Sequence, residues 1–161
     1  MATVILPPEK FEKVSRNDYH VFLSGSMGEW RQKVIEYFKD FPNTLVFLDP
    51  TRNDWDDSWG KDKVKEQIFW ELNGIEQADV TAIYLEKDAF APISLLEMGV
   101  STYHNDVFVF CEDGFWRKDN VMLTAEFFDI PVVENLEEFC LAIESRFFHF
   151  EKDRKVFQLI N

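Results

Sequence analysis

The sequence predicts a doubly wound, flavodoxin-like α/β fold: a parallel sheet of about five strands with helices on both faces. Two observations carry this. Short β-rich runs alternate strictly with amphipathic helical patterns. The β runs are also continuously apolar rather than alternating, as strands covered on both faces must be. Right-handed crossovers then favour the doubly wound order.

The elements follow in turn. His20–Ser24 (HVFLS) reads as a buried strand, and Glu29–Phe41 as a helix with Trp30, Val34, Tyr37, Phe38 and Phe41 on one stripe. Thr44–Leu48 is strand-like and stops at Asp49-Pro50. Lys61–Gln77 is helical, and Asp79–Leu85 is the third strand. Pro92 suits the first position of a helix running to about His104, because its missing N–H has no partner there in any case. Asp106–Cys111 is the fourth strand. A short helix at Val121–Phe128, a weak strand at Ile130–Val133 and a last helix from Asn135 to about Phe148 complete the pattern. Residues 1–18 read as an arm and residues 151–161 as a charged tail, so residues 1–161 form a single domain.

Composition limits the function. Lys plus Arg number 17 against 30 Asp plus Glu, a net charge of −13. A general nucleic-acid binder needs a cationic surface to release phosphate counterions, so that class is disfavoured. The same field repels anionic membranes, and no apolar run approaches the ~20 residues of a membrane span. MATVILPPEKFEK has no signal-peptide pattern, so a soluble cytoplasmic domain is expected. Cys111, Cys140, His20, His104 and His149 are scattered, with no zinc spacing, and no metal or organic cofactor is expected. Small neutral or weakly charged ligands remain.

Two acids interrupt apolar helix faces. Glu97 falls within the stripe Ile93, Leu96, Val100, and Glu71 within the stripe Val64, Ile68, Leu72, Ile75. An ionised carboxylate withdrawn from water is costly unless paired, so such acids tend to have shifted pKa values and to lie in sites. The alternative is a stripe-edge acid whose tip reaches solvent. Ser94, three residues before Glu97, shares its face.

In an open α/β sheet, ligands bind beyond the carboxyl ends of the strands, which directs attention to two loops. Asp49-Pro-Thr-Arg-Asn-Asp-Trp-Asp-Asp-Ser-Trp-Gly60 packs acids, Asn53 and two Trp into one segment. It fails as a calcium loop, since counting from Asp49 the sixth and twelfth positions are Asp54 and Gly60 instead of Gly and Glu. It is either a set of Asx turns with a helix cap, or a polar pocket with aromatic walls for a planar heterocycle, with Asn53, Asp54 and Trp59 as candidates. Ser24, Gly25 and Ser26 lie in the strand-to-helix turn Leu23-Ser-Gly-Ser-Met-Gly28. It is either a tight turn or an anion cradle, and it lacks the dinucleotide spacing and any cation before Arg31.

Phe22-Leu-Ser-Gly-Ser26, Asp49-Pro-Thr-Arg-Asn-Asp-Trp-Asp56, Trp70-Glu-Leu-Asn-Gly-Ile75, Ala78-Asp79 and Leu95-Leu-Glu-Met-Gly99 occur in the order found in nucleoside 2-deoxyribosyltransferases. The chain resembles that family from Tyr19 to about Phe128, most closely the branch with an Asp-Pro-x-Arg-x-Asp-Trp loop. The resemblance implies transfer of 2-deoxyribose between nucleobases, with a deoxynucleoside and a free base as substrates. It implies Glu97 as nucleophile, Glu71 as the acid that assists departure of the base, and Asn120 as a group donated to a neighbour's sugar site in a homo-oligomer. The chain departs from the family's pattern at Ala91, where many members have Asp, at Phe22, where a Tyr contacts the sugar, and at its end, Leu159-Ile-Asn161. Ser94 is the candidate to replace the lost contact to the 5′-hydroxyl.

The chemistry fits a pair of carboxyls. Cleavage of an N-glycosidic bond passes through an oxocarbenium-like state that one carboxylate stabilises and then traps. The base leaves readily only after protonation, which a second acid of raised pKa supplies. Two other readings stand beside transfer: an N-glycosidase acting on nucleosides or nucleotides, with water as acceptor, and a non-catalytic nucleoside-binding domain. The Phe-rich last helix (Phe147, Phe148, Phe150) serves either core packing or self-association.

Overall fold

The structure, a computed structural model, describes residues 1–11 and 17–160. Among them six strands form one parallel sheet: β1 (Thr3–Ile5), β2 (Tyr19–Gly25), β3 (Leu45–Leu48), β4 (Val80–Leu85), β5 (Asp106–Cys111) and β6 (Val132–Val133). Five helices connect and cover them: α1 (Trp30–Tyr37), α2 (Lys61–Gln77), α3 (Pro92–Ser101), α4 (Lys118–Phe127) and α5 (Leu136–Ile160). The strand order is β1-β3-β2-β4-β5-β6. With β1 set aside, this is the doubly wound order the alternation predicts. The winding reverses between β2 and β4, which pair from Val21↔Val80 to Gly25↔Tyr84.

Side-chain alternation sorts the strands onto two layers. Val21 and Leu23 of β2, with Phe47, Phe108 and Tyr84, face α1 and α5 and pack against Trp30, Val34, Phe38, Phe139, Ile143 and Phe147. Phe22, with Val46 and Leu48, faces the opposite side against Trp70 and Ile75 of α2. Ile83, Leu85, Val107 and Val109 pack beneath Met98 of α3 and Val121 and Ala125 of α4. Each fully buried Phe or Leu in these layers stabilises the fold by about 1.5–3 kcal/mol. Seven residues of register on β2 therefore fix where its last side chains point. Ser24 shares the α2/α3 side with Phe22.

Gly74 sets the height of α2. A Cβ there would lie 2.7 Å from Phe22 Cδ2, so only glycine lets the helix settle onto β2 at this point. One turn earlier, the same approach carries Glu71 over the carboxyl end of the sheet.

The two ends of the chain differ most from the sequence reading; α1 also stops at Tyr37 rather than Phe41, and α4 starts at Lys118 rather than Val121. The expected arm contributes β1, which pairs with β3 from Thr3↔Val46 to Ile5↔Leu48 and caps the sheet edge; residues 12–16 of the arm lie outside the described residues. Three residues are too few to show a strand period, so only the pairing reveals it. The expected tail continues α5 to Ile160, and Asn161 lies outside the described residues. Phe147 is in the core, Phe150 packs against it, and Phe148 is exposed. Among the described residues, no helix is long and apolar enough to cross a membrane.

Candidate active site

The carboxyl ends of β2 and β3, the first turns of α3 and the middle of α2 enclose a cavity of about 680 Å³. Ser24 and Glu97 meet at its floor: Ser24 Oγ donates a 2.6 Å hydrogen bond to Glu97 Oε2. Glu97 is buried, with 7% of its surface exposed, on the inner face of α3 with Ser94, Met98 and Ser101. Pro92 opens that helix as expected. Ala91 before it is left-handed at φ 39°, a conformation Asn and Asp adopt more readily than Ala. Glu97 is the sixth of the ten residues of α3, beyond the first turn where a helix dipole acts, so its surroundings and not the helix end set its charge state.

Glu71 lines the same cavity from α2. Gln67, one turn earlier and buried, donates from Nε2 to Glu71 Oε1 at 2.8 Å and to the Pro50 carbonyl at 3.0 Å. Burial raises the pKa of both acids. Glu97 is pushed up from 4.5 to about 7, chiefly by removal from water and further by the neighbouring Glu71 charge, while the Ser24 bond and Arg31 pull the other way. Glu71 is raised by burial against the Gln67 bond and Arg31. Two coupled carboxyls with raised proton affinity, in one cavity, can divide the roles of nucleophile and proton donor.

The first turn is built around Arg31. Its Nε donates to the Leu23 carbonyl (3.2 Å), Nη1 to that of Ser26 (2.8 Å) and Nη2 to that of Gly25 (3.0 Å), and Nε lies 3.4 Å from Asp49 Oδ1. The guanidinium also lies over the Trp30 ring, at 4.4 Å. The turn is therefore a tight one whose cation serves its own carbonyls. Ser26 Oγ accepts from the Glu86 N–H at 3.0 Å, tying the turn to the end of β4. Gly25, at φ 150°, abuts the Tyr84 carbonyl so closely that no side chain fits.

Of the residues singled out in the sequence, Ser24 reaches the cavity floor through its bond to Glu97, and Gly25, Ser26, Glu71, Ser94 and Glu97 line the cavity. Asn53, Asp54 and Trp59 are not among its lining residues. Asp54 is exposed and bonded to Arg52 and Lys63, which hold its carboxyl well below the ordinary range. Trp59 lies under the Arg52 and Lys63 cations, at 4.6 and 4.2 Å. Arg52, itself buried, bridges Asp54 and Glu66, so these residues latch the loop onto α2. Trp55 lines the cavity instead, with Met27, Phe90 and Ile93 as further apolar wall. The loop has no helix or strand period that would mark which Trp lines the cavity. Asn120 is exposed on α4 and lines a separate shallow groove with Trp116, Arg117, Leu95 and Gly99.

The route to the two acids also needs correction. Ile68, Leu72, Ile93 and Leu96, which the spacing predicts to be buried, are exposed. The inner faces are Gln67, Trp70, Gly74 and Ile75 on α2, and Ser94, Glu97, Met98 and Ser101 on α3. Arg31 and Gln67 were missed; a polar residue one turn from an inward acid is the signal that could have found Gln67. Among the described residues, no group of three or more His, Cys, Asp or Glu side chains is placed to hold a metal ion.

Comparison with known proteins bears on the family and the fold. No curated protein matches the chain. Among solved structures, a conserved protein from Enterococcus faecalis V583 is similar at a TM-score of 0.60 and 15% identity, over 80% of this chain and 99% of that one, a likeness of fold. The family model described as "Nucleoside 2-deoxyribosyltransferase like" matches residues 18–115, a span that holds Ser24, Glu71 and Glu97 and stops short of Asn120. The chain belongs to the nucleoside 2-deoxyribosyltransferase-like family.

Proposed function

We propose that the protein transfers 2-deoxyribose from one nucleobase to another through a covalent deoxyribosyl–Glu97 intermediate. The observation that carries this reading is the convergence of Glu97 and Glu71 on one cavity from separate helices, each with raised proton affinity. The Glu97 carboxylate attacks the anomeric carbon as the glycosidic C–N bond breaks, and Glu71 gives its proton to the departing base. In the return step a ring nitrogen of the second base attacks that carbon, Glu97 leaves as carboxylate, and Glu71 recovers a proton from the incoming base.

The surroundings suit an uncharged nucleoside. Arg31 has its Nε, Nη1 and Nη2 committed to backbone carbonyls, and Arg52 is held by Asp54 and Glu66, so neither cation is presented to a phosphate. Trp55, Met27 and Phe90 offer apolar walls for a planar base. Asn120 lies outside its own cavity, and Ile68, Leu72, Ile93 and Leu96 on the adjacent helices α2 and α3 are exposed. Both features favour a homo-oligomer in which Asn120 completes a neighbour's site.

Incubation with a deoxynucleoside and a different free base tests the reading. The exchanged nucleoside should form, and Glu97→Ala should abolish it. Free base released as fast at saturating acceptor as without it would instead favour hydrolysis, and undiminished exchange by Glu97→Ala would overturn the assignment.

A further inference from the structure

We propose that Gln67 is a positioning residue for Glu71: its carboxamide clamps one carboxylate oxygen to the Pro50 carbonyl, so that the other oxygen carries the transferable proton. The two N–H groups of Gln67 Nε2 are both spent, on Pro50 O at 3.0 Å and on Glu71 Oε1 at 2.8 Å. Both partners are acceptors, so the amide has one workable orientation; turning it over would set carbonyl against carbonyl and carbonyl against carboxylate. The Gln67 Oε1 atom is buried and has no hydrogen-bond partner. A buried acceptor left unmade in this way calls for a reason, and the fixed direction of the N–H groups supplies one. Gln67 itself is only 5% exposed, so it has no room to choose another pose.

The consequence for the acid is specific. A proton on Glu71 Oε1 would oppose the incoming Gln67 N–H, so the protonated acid holds its hydrogen on Oε2. The donated bond also favours the ionised acid, offsetting part of the burial that raises its proton affinity. The charged groups around Glu71 are Arg31 from α1, Glu97 from α3 and Arg52 from the loop after β3, the last held by Asp54 and Glu66. Pro50 begins that loop, so the clamp also ties the acid's position to the segment carrying Trp55.

The role of Glu71 as proton donor rests on the transferase reading; the clamp itself does not, and the test separates the two. The Glu71 carboxyl is titrated by carbon-13 NMR in the wild type and in Gln67→Met, and base exchange is measured on both. The expected result is an upward shift of the Glu71 titration by about one pH unit, the size of one lost hydrogen bond to a charged group. In a Glu71→Gln background, Gln67→Met should change the remaining exchange rate by less than about 2-fold, because a residue acting through Glu71 has nothing left to act on. A purely structural residue would slow both backgrounds equally. Gln67→Leu, which also lacks the donor and adds no charge, replaces the Met variant if that one does not fold, with the same direction expected. An unmoved Glu71 titration overturns the clamp even if the wild type exchanges bases. A moved titration in a protein that exchanges nothing upholds the clamp and overturns the proposed function.

Discussion

Ser24 Oγ on β2 lies 2.6 Å from Glu97 Oε2 on α3, a contact across 73 residues of chain that places a buried carboxylate against the end of a central strand. The hydroxyl is held by the β2–β4 pairing, which extends through Ser24↔Ile83. It stabilises the ionised acid where burial alone would protonate it. Removing it in Ser24→Ala should therefore raise the Glu97 pKa further. Exchange at pH 7 should slow by about 10-fold, roughly the worth of one hydrogen bond to a charged group, and recover in part at higher pH. Steady-state rates across pH check this; an unshifted profile counts against it.

The pH dependence of the wild type follows from the same two acids. In the proposed mechanism the reactive form pairs a Glu97 carboxylate with a protonated Glu71, so the intermediate should form fastest where the pair holds one proton and should weaken as lower pH protonates both. Loss of that last proton should cut the rate at the alkaline end, because the departing base then has no donor. The two limbs belong to the coupled pair rather than to one residue each. Single-turnover release of base from about pH 5 to about pH 9 should give a bell, and a flat line would contradict the assignment.

Stability should run opposite to activity at Glu97. Its folded pKa is raised above the ordinary 4.5, so between 4.5 and about 7 the folded chain binds more protons than the unfolded chain. The stability from protonated Glu97 is full below 4.5 and lost as the pH rises through about 7. At pH 8 the wild type carries a buried charge that Glu97→Gln removes. The variant should be inactive yet more stable by about 1–3 kcal/mol in urea unfolding, with the gain vanishing near pH 4.

The two tryptophans of the long loop touch, with ring centroids 4.8 Å apart, but their other contacts differ. Trp55 lines the cavity, so Trp55→Ala should raise KM for the nucleoside by about 10-fold with kcat retained. Trp59 lies under Arg52 and Lys63, so Trp59→Ala should instead lower the melting temperature. The reverse pattern would mean that the loop closes differently around substrate.

This loop also shows where the sequence stops being legible. Strand and helix periods are properties of backbone geometry, which is why β2, β4, β5 and α2 appear close to their expected places. The placement of Trp55 rather than Trp59 on the cavity wall depends on Arg52 choosing Asp54, Glu66 and the Trp59 ring, a set of contacts that no period encodes. Ile68, Leu72, Ile93 and Leu96, in the apolar stripes beside the two acids, point outward. Ile93 and Leu96 look like a core stripe because an exposed apolar face has the same spacing as a buried one, whereas the inner face of α3 is polar at Ser94 and Glu97. Arg31 reads as a surface cation until the three carbonyls of the first turn are seen around it.

Asn120 gives the assembly its own test. Asn120→Ala should cut exchange by about 10–100-fold if its amide serves a neighbour's sugar site. Mixing it with inactive Glu97→Gln should then restore activity that neither has alone, because some sites receive both intact residues. No recovery on mixing, with a monomer in sedimentation, would rule out a contribution between subunits.

The most direct measurement is the intact mass of the protein after reaction with a 2-fluorinated deoxynucleoside, which slows breakdown of a glycosyl–enzyme bond. A mass increase of one fluorinated sugar, mapped by peptide sequencing to Glu97 and absent from Glu97→Gln, is the predicted result. An adduct on another side chain, or base release with no adduct at any time, would contradict a covalent role for Glu97.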